Sequence, residues 1–276
     1  MTQIPEPPPS LRLTPIPRLA AGGRWRVEAM RSLREPLMLW FTQGQGRITV
    51  AGNTRGFGTH NAVFIPPGTM HAFEMKPRVQ GTAVFFGRDH GLDLPDEPRH
   101  LRVREAVAQK ELVAVLDNIQ RELESDRPAS DRAARYHLGL LGVWLERQLA
   151  SEERAPSSGL RESAARRLTA RYTGLLERDF SSGMGVGDYA AALGVTPTHL
   201  TRACKAACGR AAHELLQDRV LYEARRLLSE TRTPVKEVAR QLGFSSPAYF
   251  TRAFQKRTGQ TPSGFRRASG PAAPGS

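Results

Sequence analysis

Residues 201–209 read TRACKAACG and residues 251–259 read TRAFQKRTG, two copies of one short phrase set fifty residues apart. The echo continues upstream, where VGDYAAALGV at 186–195 aligns with VKEVARQLGF at 235–244 at an offset of forty-nine. Each upstream copy runs apolar, x, x, apolar, Ala, x, x, Leu, Gly, apolar. That is the pattern of a helix entering a tight turn, with the glycine supplying the backbone freedom. Each copy therefore reads as helix, turn and second helix, and both second helices carry an arginine. In a strongly basic chain, two such units in tandem make DNA the leading partner.

In the first unit, Gly194 makes the turn, Thr196 caps the next helix, and Pro197 takes the first helical position, where its missing N–H is harmless. Over about Pro197 to Cys208, Leu200, Ala203 and Cys204 share the inner face. Thr198, His199, Thr201, Arg202 and Lys205 are left outside as DNA-contact candidates. In the second unit Gly243 turns the chain, and Ser245 or Ser246 caps a helix with Pro247 near its start. Phe250 and Phe254 face inward, with Ala248, Tyr249, Thr251, Arg252 and Gln255 outside; Ser246, Pro247, Ala248, Thr251 and Arg252 are the contact candidates there. An apolar stripe through Leu215, Leu216, Val220, Leu221, Ala224, Leu227 and Leu228 predicts a connecting helix over about 212–231. Such a strut suits recognition helices about 34 Å apart, entering successive major grooves on one face of the duplex. Arg202 and Arg252 then suit bidentate bonds to guanine, each worth roughly 1–3 kcal/mol of discrimination. A phosphate contact or a solvated charge is the plainer reading of either arginine.

The formal net charge is +13 and is unevenly spread. Residues 160–268 hold 19 Arg and Lys against 9 Asp and Glu, while the first 159 hold 21 against 18. Concentration of the excess in the repeat-bearing half favours nucleic acid over a merely Arg-rich surface. With 39% hydrophobic and 24% charged residues the composition is globular. No apolar run approaches the roughly 18 residues of a membrane span, and the Pro-rich, polar N-terminus is unlike a signal peptide, which argues for the cytoplasm. Cys204 and Cys208, four apart on one helix, lack the further ligands of a zinc site. Cys204 stands where the other copy has Phe254, as a small core residue.

The texture predicts an α+β, two-domain fold. Residues 1–18 are Pro-rich and read as a flexible or extended leader. Residues 19–100 hold apolar runs such as LMLWF (37–41), RITV (47–50), AVFI (62–65) and TAVFF (82–86), punctuated by Gly and Pro, as in a small barrel or sandwich. Across 101–150 the period becomes helical: Val107, Leu112, Val115, Leu116, Ile119 and Leu123, then Ala134, Leu138, Leu141, Trp144, Leu145 and Leu149, predict a helical hairpin for packing and dimerisation. A polar linker at 151–160, an all-α basic domain at 161–268 and a disordered tail at 269–276 complete the plan.

The stretch EARRLLSETRTPVKEVARQLGFSSPAYFTRAFQKRTGQTPSGFR (223–266), closing on Gly259–Pro262, resembles the DNA-binding signature of the AraC/XylS family of bacterial transcription regulators. The resemblance covers about 40% of the chain and departs at Cys204, where a bulky apolar residue is usual. FIPPGTMHAF (64–73) resembles the second motif of cupin barrels, with Pro66, Gly68 and His71 in place. What the family implies is a cupin-like barrel that senses an effector and dimerises ahead of the DNA-binding domain. The implied partners are double-stranded promoter DNA, an unidentified small molecule, a second copy and RNA polymerase. Metal-dependent cupins add His–x–His and Glu, and residues 39–58 contain no histidine or acidic residue, so no metal, cofactor or enzyme activity is expected. Trp40, Phe64, His71 and Phe73 are the candidate pocket residues, against the plainer alternatives of packed core for the aromatics and a turn histidine for His71. The rival readings are a cupin enzyme with a basic helical appendage, and a regulator whose barrel only dimerises.

Overall fold

In the computed structural model, which describes residues 11–154 and 163–269, the run Leu37–Phe41 lies in a strand buried on both faces. The large sheet contains β1 (Arg12–Pro15), β2 (Leu37–Gln43), β5 (Asn61–Ile65), β7 (Gln80–Phe85) and β8 (Arg99–Arg102), antiparallel throughout in the order β1-β7-β2-β5-β8. A small antiparallel sheet holds β3 (Gly46–Val50), β4 (Asn53–Phe57) and β6 (His71–Phe73), in the order β4-β3-β6. One helical turn, α1 (Trp25–Glu28), lies between β1 and β2. Leu37, Leu39 and Phe41 pack between the sheets with Ile48, Phe57 and Phe73, where Phe41 stacks on Phe57 at 4.0 Å between ring centroids. Met38 and Trp40 face the other way, onto the hairpin of α2 (Ala106–Leu123) and α3 (Ser130–Arg154). Burial on both faces is why β2 reads as an unbroken apolar run rather than as an alternation.

The hairpin closes that outer face with Leu112, Leu116 and Ile119 against Leu138, Leu141 and Leu145. The Trp144 indole N–H donates to the Ala108 carbonyl at 2.9 Å and so fixes the two helices in register. Val107 departs from the expected stripe: it sits in the first turn of α2, where Ala108 rather than Val107 faces the core, and is 68% exposed. The domain boundaries also shift. Arg12–Pro15 of the expected leader form an edge strand, registered from Arg12 opposite Phe85 to Pro15 opposite Thr82. Proline is tolerated at such an edge because no ladder donor is required of it. The Arg12 guanidinium bonds Glu35 at 2.6 Å and lies over the Phe85 ring. Helix α3 runs through residues 151–154 of the expected linker, β8 straddles the 100/101 boundary, and Ser269 ends the last helix. The rest of the leader (1–10), linker (155–162) and tail (270–276) lies outside the described residues.

The C-terminal half is helical: α4 (Ala164–Asp179), α5 (Val186–Ala192), α6 (Pro197–Cys208), α7 (Ala212–Glu230), α8 (Val235–Gln241), α9 (Pro247–Thr258) and α10 (Pro262–Ser269). Helix α4 begins at Ser163, whose hydroxyl accepts from the Arg166 N–H, and it roofs the first unit by packing Tyr172 and Leu176 on Tyr189, Leu200, Cys204 and Leu215. Helix α10 closes the second unit through Phe265, which packs with Phe250, Phe254 and Leu228. Buried Arg219 on α7 bonds Glu177 of α4 at 2.6 Å and lies over the Phe180 ring.

The two halves share contacts. Met30, Met70 and Ala72 join the core around Tyr172, and Trp25 packs edge-on against Tyr222 and Phe265. Arg26 pairs with Glu230 at 2.8 Å, and the Met30 N–H donates to Asp218 at 2.8 Å. The two-residue turn Ala51–Gly52 between β3 and β4 abuts α4 so closely that a Cβ at Gly52 would lie 2.5 Å from Thr169 Cγ2. No helix among the described residues is long and apolar enough to cross a membrane.

Candidate nucleic-acid interface

The two sequence copies fold as two closely matched units. Thr196 and Ser246 each cap a 12-residue helix, accepting from the His199 N–H at 3.2 Å and the Tyr249 N–H at 3.1 Å, with Pro197 and Pro247 in the first turn. Each helix ends on a left-handed glycine, Gly209 (φ 72°) or Gly259 (φ 77°), whose N–H returns to the preceding turn. The left-handed state carries little penalty for glycine, so the sequence stops both helices at the same place. Helix α7, 19 residues long, joins the units and spans about 28 Å at 1.5 Å rise per residue.

Inward and outward faces separate cleanly. Leu200, Ala203, Cys204, Phe250 and Phe254 are buried. Burial pushes the Cys204 thiol up to about 11, which keeps it a neutral core residue. Thr198, His199, Arg202 and Lys205 on α6 are exposed and Thr201 is half-buried; on α9, Pro247, Ala248, Tyr249, Arg252 and Gln255 are exposed, and Ser246 and Thr251 are half-buried. Among the described residues Arg202, Lys205, Arg252 and Lys256 have no ion pair, whereas Arg210 and Arg219 of the same half are held by Asp218 and Glu177. The outer faces of α6 and α9 thus present unneutralised cations on rigid, capped helices, an arrangement suited to phosphates and to acceptor edges of bases in a groove.

The helix-turn-helix domain family matches residues 189–268, which takes in most of both units. The E. coli (strain K12) arabinose operon regulatory protein is 36% identical over 72 residues, 26% of this chain and 25% of that one. Residues 189–268 form an AraC-type helix-turn-helix domain. The transcriptional regulator GlxA of Rhizobium meliloti (strain 1021) is 32% identical over 164 residues, 57% of this chain and 48% of its own. The transcriptional regulator MtrA of Neisseria gonorrhoeae is 23% identical over 282 residues, 90% of this chain and 92% of its own. The chain therefore spans about half the length of GlxA and a quarter of the arabinose regulator.

The four aromatic and histidine candidates ahead of this AraC-type domain fall in packed surroundings. Trp40 and Phe64 lie between the large sheet and the hairpin, Trp40 stacked on His60, and Phe73 belongs to the core between the sheets. His71 is fully buried, exchanges backbone bonds with Arg31, and has Nδ1 3.0 Å from the Thr69 carbonyl, while Nε2 has no partner. Burial, reinforced by the Arg31 charge, pushes its pKa down to about 3, so the ring is neutral. Among the described residues no group of three or more His, Cys, Asp or Glu converges. A cavity of about 240 Å³ does open between the sheets, with a different lining that includes Val50, Asn53, Arg55, Val63, His100 and Ala170. Nothing in the local spacing of Asn53, Arg55 and His100 marks them in the sequence as facing one another.

Proposed function

We propose that the chain is a sequence-specific transcription regulator that binds promoter DNA with α6 and α9 and acts by binding rather than by catalysis. The observation that carries this reading is the pair of capped 12-residue helices, with exposed, unpaired Arg202, Lys205, Arg252 and Lys256, at the two ends of α7. Arg202 and Arg252 are assigned to base edges. Thr198, His199, Thr201, Lys205, Ser246, Pro247, Ala248 and Thr251 frame them as phosphate or base contacts. The similarity to GlxA and MtrA, both HTH-type transcriptional regulators, supports this reading.

The N-terminal sheets form the sensor in this reading, as a cupin-like barrel, and the hairpin joins two copies. A sensor, rather than a barrel that only dimerises, is favoured by the cavity between the sheets, which is roofed by α4. An effector shifts DNA occupancy only through differential affinity for two arrangements of the halves, and the shared core around Met30 and Tyr172 is where such arrangements differ. The cytoplasm is the proposed compartment, with RNA polymerase as the further partner at the promoter.

The test is selection of bound duplexes from a random library with the full chain, followed by footprinting on the enriched site. Enrichment of two short elements about one duplex turn apart is expected. Recovery of no sequence preference over the starting library would refute the reading.

A further inference from the structure

We infer that the open end of the N-terminal barrel is a binding site for a small hydroxylated carboxylate, and that its occupant touches the DNA-binding half directly. The inference rests on the sensor reading above and adds ligand chemistry and a route of communication to it.

Pairing fixes which residues face each other across the lumen. In the small sheet Ile48 pairs with Arg55 and Val50 with Asn53, so these four share the face on which Ile48 enters the inter-sheet core. In the large sheet Val63 pairs with His100, which places His100 on the inner face beside a core valine. Toward Phe41, Phe57 and Phe73 the lumen is filled with aromatic rings. At the other end it opens into the 240 Å³ cavity, whose wall includes Ala170 of α4. Core strands turn polar here at Asn53, Arg55 and His100; Ile48, Val50 and Val63 supply an aliphatic part of the wall, and the Glu97–Arg99 pair completes its polar side.

Each polar group retains a hydrogen-bonding atom that a ligand could take up, and one of them, Asn53 Oδ1, is buried without a partner. Arg55 is exposed and makes no salt bridge within 4 Å among the described residues, with the Glu152 carboxylate acting on it only at longer range, while Glu97, also in the lining, lies 3.9 Å from Arg99. The Asn53 amide donates to the Ala51 carbonyl, but its Oδ1 is buried without a partner. His100 Nε2 lies 3.1 Å from Asn61 Oδ1, an oxygen fixed as such because it also accepts the Gly58 N–H. The ring is neutral, its pKa pushed down to about 4 by burial and by Arg55, so Nε2 carries the proton and Nδ1 is an acceptor. One cationic donor fork beside two acceptors calls for a ligand with a carboxylate and at least one hydroxyl donor, its carbon skeleton lying on Val50 and Val63. The volume, below the roughly 300–1,000 Å³ of drug-sized sites, admits a metabolite of few carbons and excludes a long acyl chain.

The roof gives the site its consequence. Ala170 lies beside Thr169 and next to the Gly52 turn, which already abuts Thr169 and Thr173. A ligand between β3–β4 and β5–β8 therefore bears on α4, the helix that packs on α6 through Tyr172, Leu200 and Cys204.

The experiment is calorimetric titration and thermal shift of the full chain with L-malate, L-tartrate and D-gluconate. Succinate serves as the acid without a hydroxyl and erythritol as the polyol without charge. At least one hydroxy acid is expected to bind ten or more times tighter than both controls and to raise the melting temperature. Arg55→Gln, at an exposed position, should weaken that binding at least tenfold with the circular dichroism spectrum unchanged. Asn53→Ala should bring the preference over succinate close to one. Hydrogen exchange on binding should slow in residues 164–179 as well as in the barrel strands. Silence across the panel, equal binding of erythritol, or binding unaffected by Arg55→Gln overturns the ligand assignment; protection confined to the strands overturns the route through α4. Duplex-DNA binding by the same preparation keeps the two readings apart. DNA bound with no acid bound removes only the ligand assignment, and acid bound without any DNA affinity removes the regulator.

Discussion

Gly183 and Gly243 meet backbone to backbone. A Cβ at Gly243 would stand 2.4 Å from the Gly183 nitrogen, and one at Gly183 would stand 2.9 Å from the Gly243 carbonyl oxygen. Gly243 is the turn glycine of the second unit, and Gly183 lies in the loop between α4 and α5 of the first. The two units are thus joined by a direct contact in addition to α7, and the spacing of α6 and α9 depends on both.

Gly194, the turn glycine of the first unit, is the natural control for that contact. It has nearly the same left-handed backbone (φ 70° against 75°), but nothing lies within 4 Å of where its Cβ would be. Gly194→Ala is expected to cost about 1–2 kcal/mol from backbone strain alone. Gly243→Ala should cost a further 1–3 kcal/mol or so from overpacking, and should weaken binding to a two-element site more than to a single element. Urea denaturation and gel-shift titration measure the two effects. Equal costs for the two alanines would show that the Gly183–Gly243 contact has no weight.

The repeat made the second half legible because its signals are local. Caps, turn glycines and the apolar face of each helix all fall within a few residues of one another, so Thr196, Pro197, Gly209 and their partners at 246, 247 and 259 specify both helices. The barrel was legible only as a set of runs. Arg12–Pro15 pairs with a strand seventy residues away, and the proline-rich sequence around it hides it from any local pattern. Asn53, Arg55 and His100 sit in polar, turn-rich sequence. Only the register of Val50 with Asn53 and of Val63 with His100 brings them across from one another. His71, prominent in its motif, is instead held by its own turn through Thr69.

Arg202 and Arg252 have the same position in their units, yet their surroundings differ. Arg252 lines the cleft between α7 and α9 that also includes Tyr249 and Lys256, while Arg202 is on the outer face of α6. Arg202→Ala should weaken the selected site by about 1–3 kcal/mol, leave random duplex little changed, and relax preference at one base position. If Arg202 instead holds a phosphate, both duplexes weaken alike and the salt slope falls by about one. Titrations at several salt concentrations separate the two.

His71 sets a pH dependence. Its folded pKa of about 3 lies below the ordinary value of 6.5, so as pH falls the unfolded chain takes up the proton first. The stability it supports is complete above pH 6.5 and is lost as pH falls towards 3. Between pH 6.5 and 5, above the carboxylate range, the slope attributable to this residue approaches about 1.4 kcal/mol per pH unit. His100, shifted in the same direction, adds to it. His71→Gln should flatten the unfolding free energy over that interval. An unchanged slope would mean that the buried ring does take up a proton in the folded state.

Tyr136, Leu140 and Val143 form one stripe on the outer face of α3 at helical spacing, 69%, 54% and 40% exposed, with Gly139 beside them and nothing near its missing Cβ. Val113 on α2 is exposed at 41%. An apolar face with a glycine permits close approach of another helix, and the same stripe on a second copy is the self-complementary partner that two-fold symmetry supplies. Leu140→Glu places a carboxylate at the centre of that stripe without touching the buried set Leu138, Leu141 and Leu145. The folded monomer should keep its melting temperature at low concentration while the dimer dissociation constant rises at least a hundredfold, about 2.7 kcal/mol. Analytical ultracentrifugation over a concentration series measures this. Identical sedimentation of wild type and variant as dimers would place the interface elsewhere, and a wild type monomeric at every concentration would remove the dimer from the proposal.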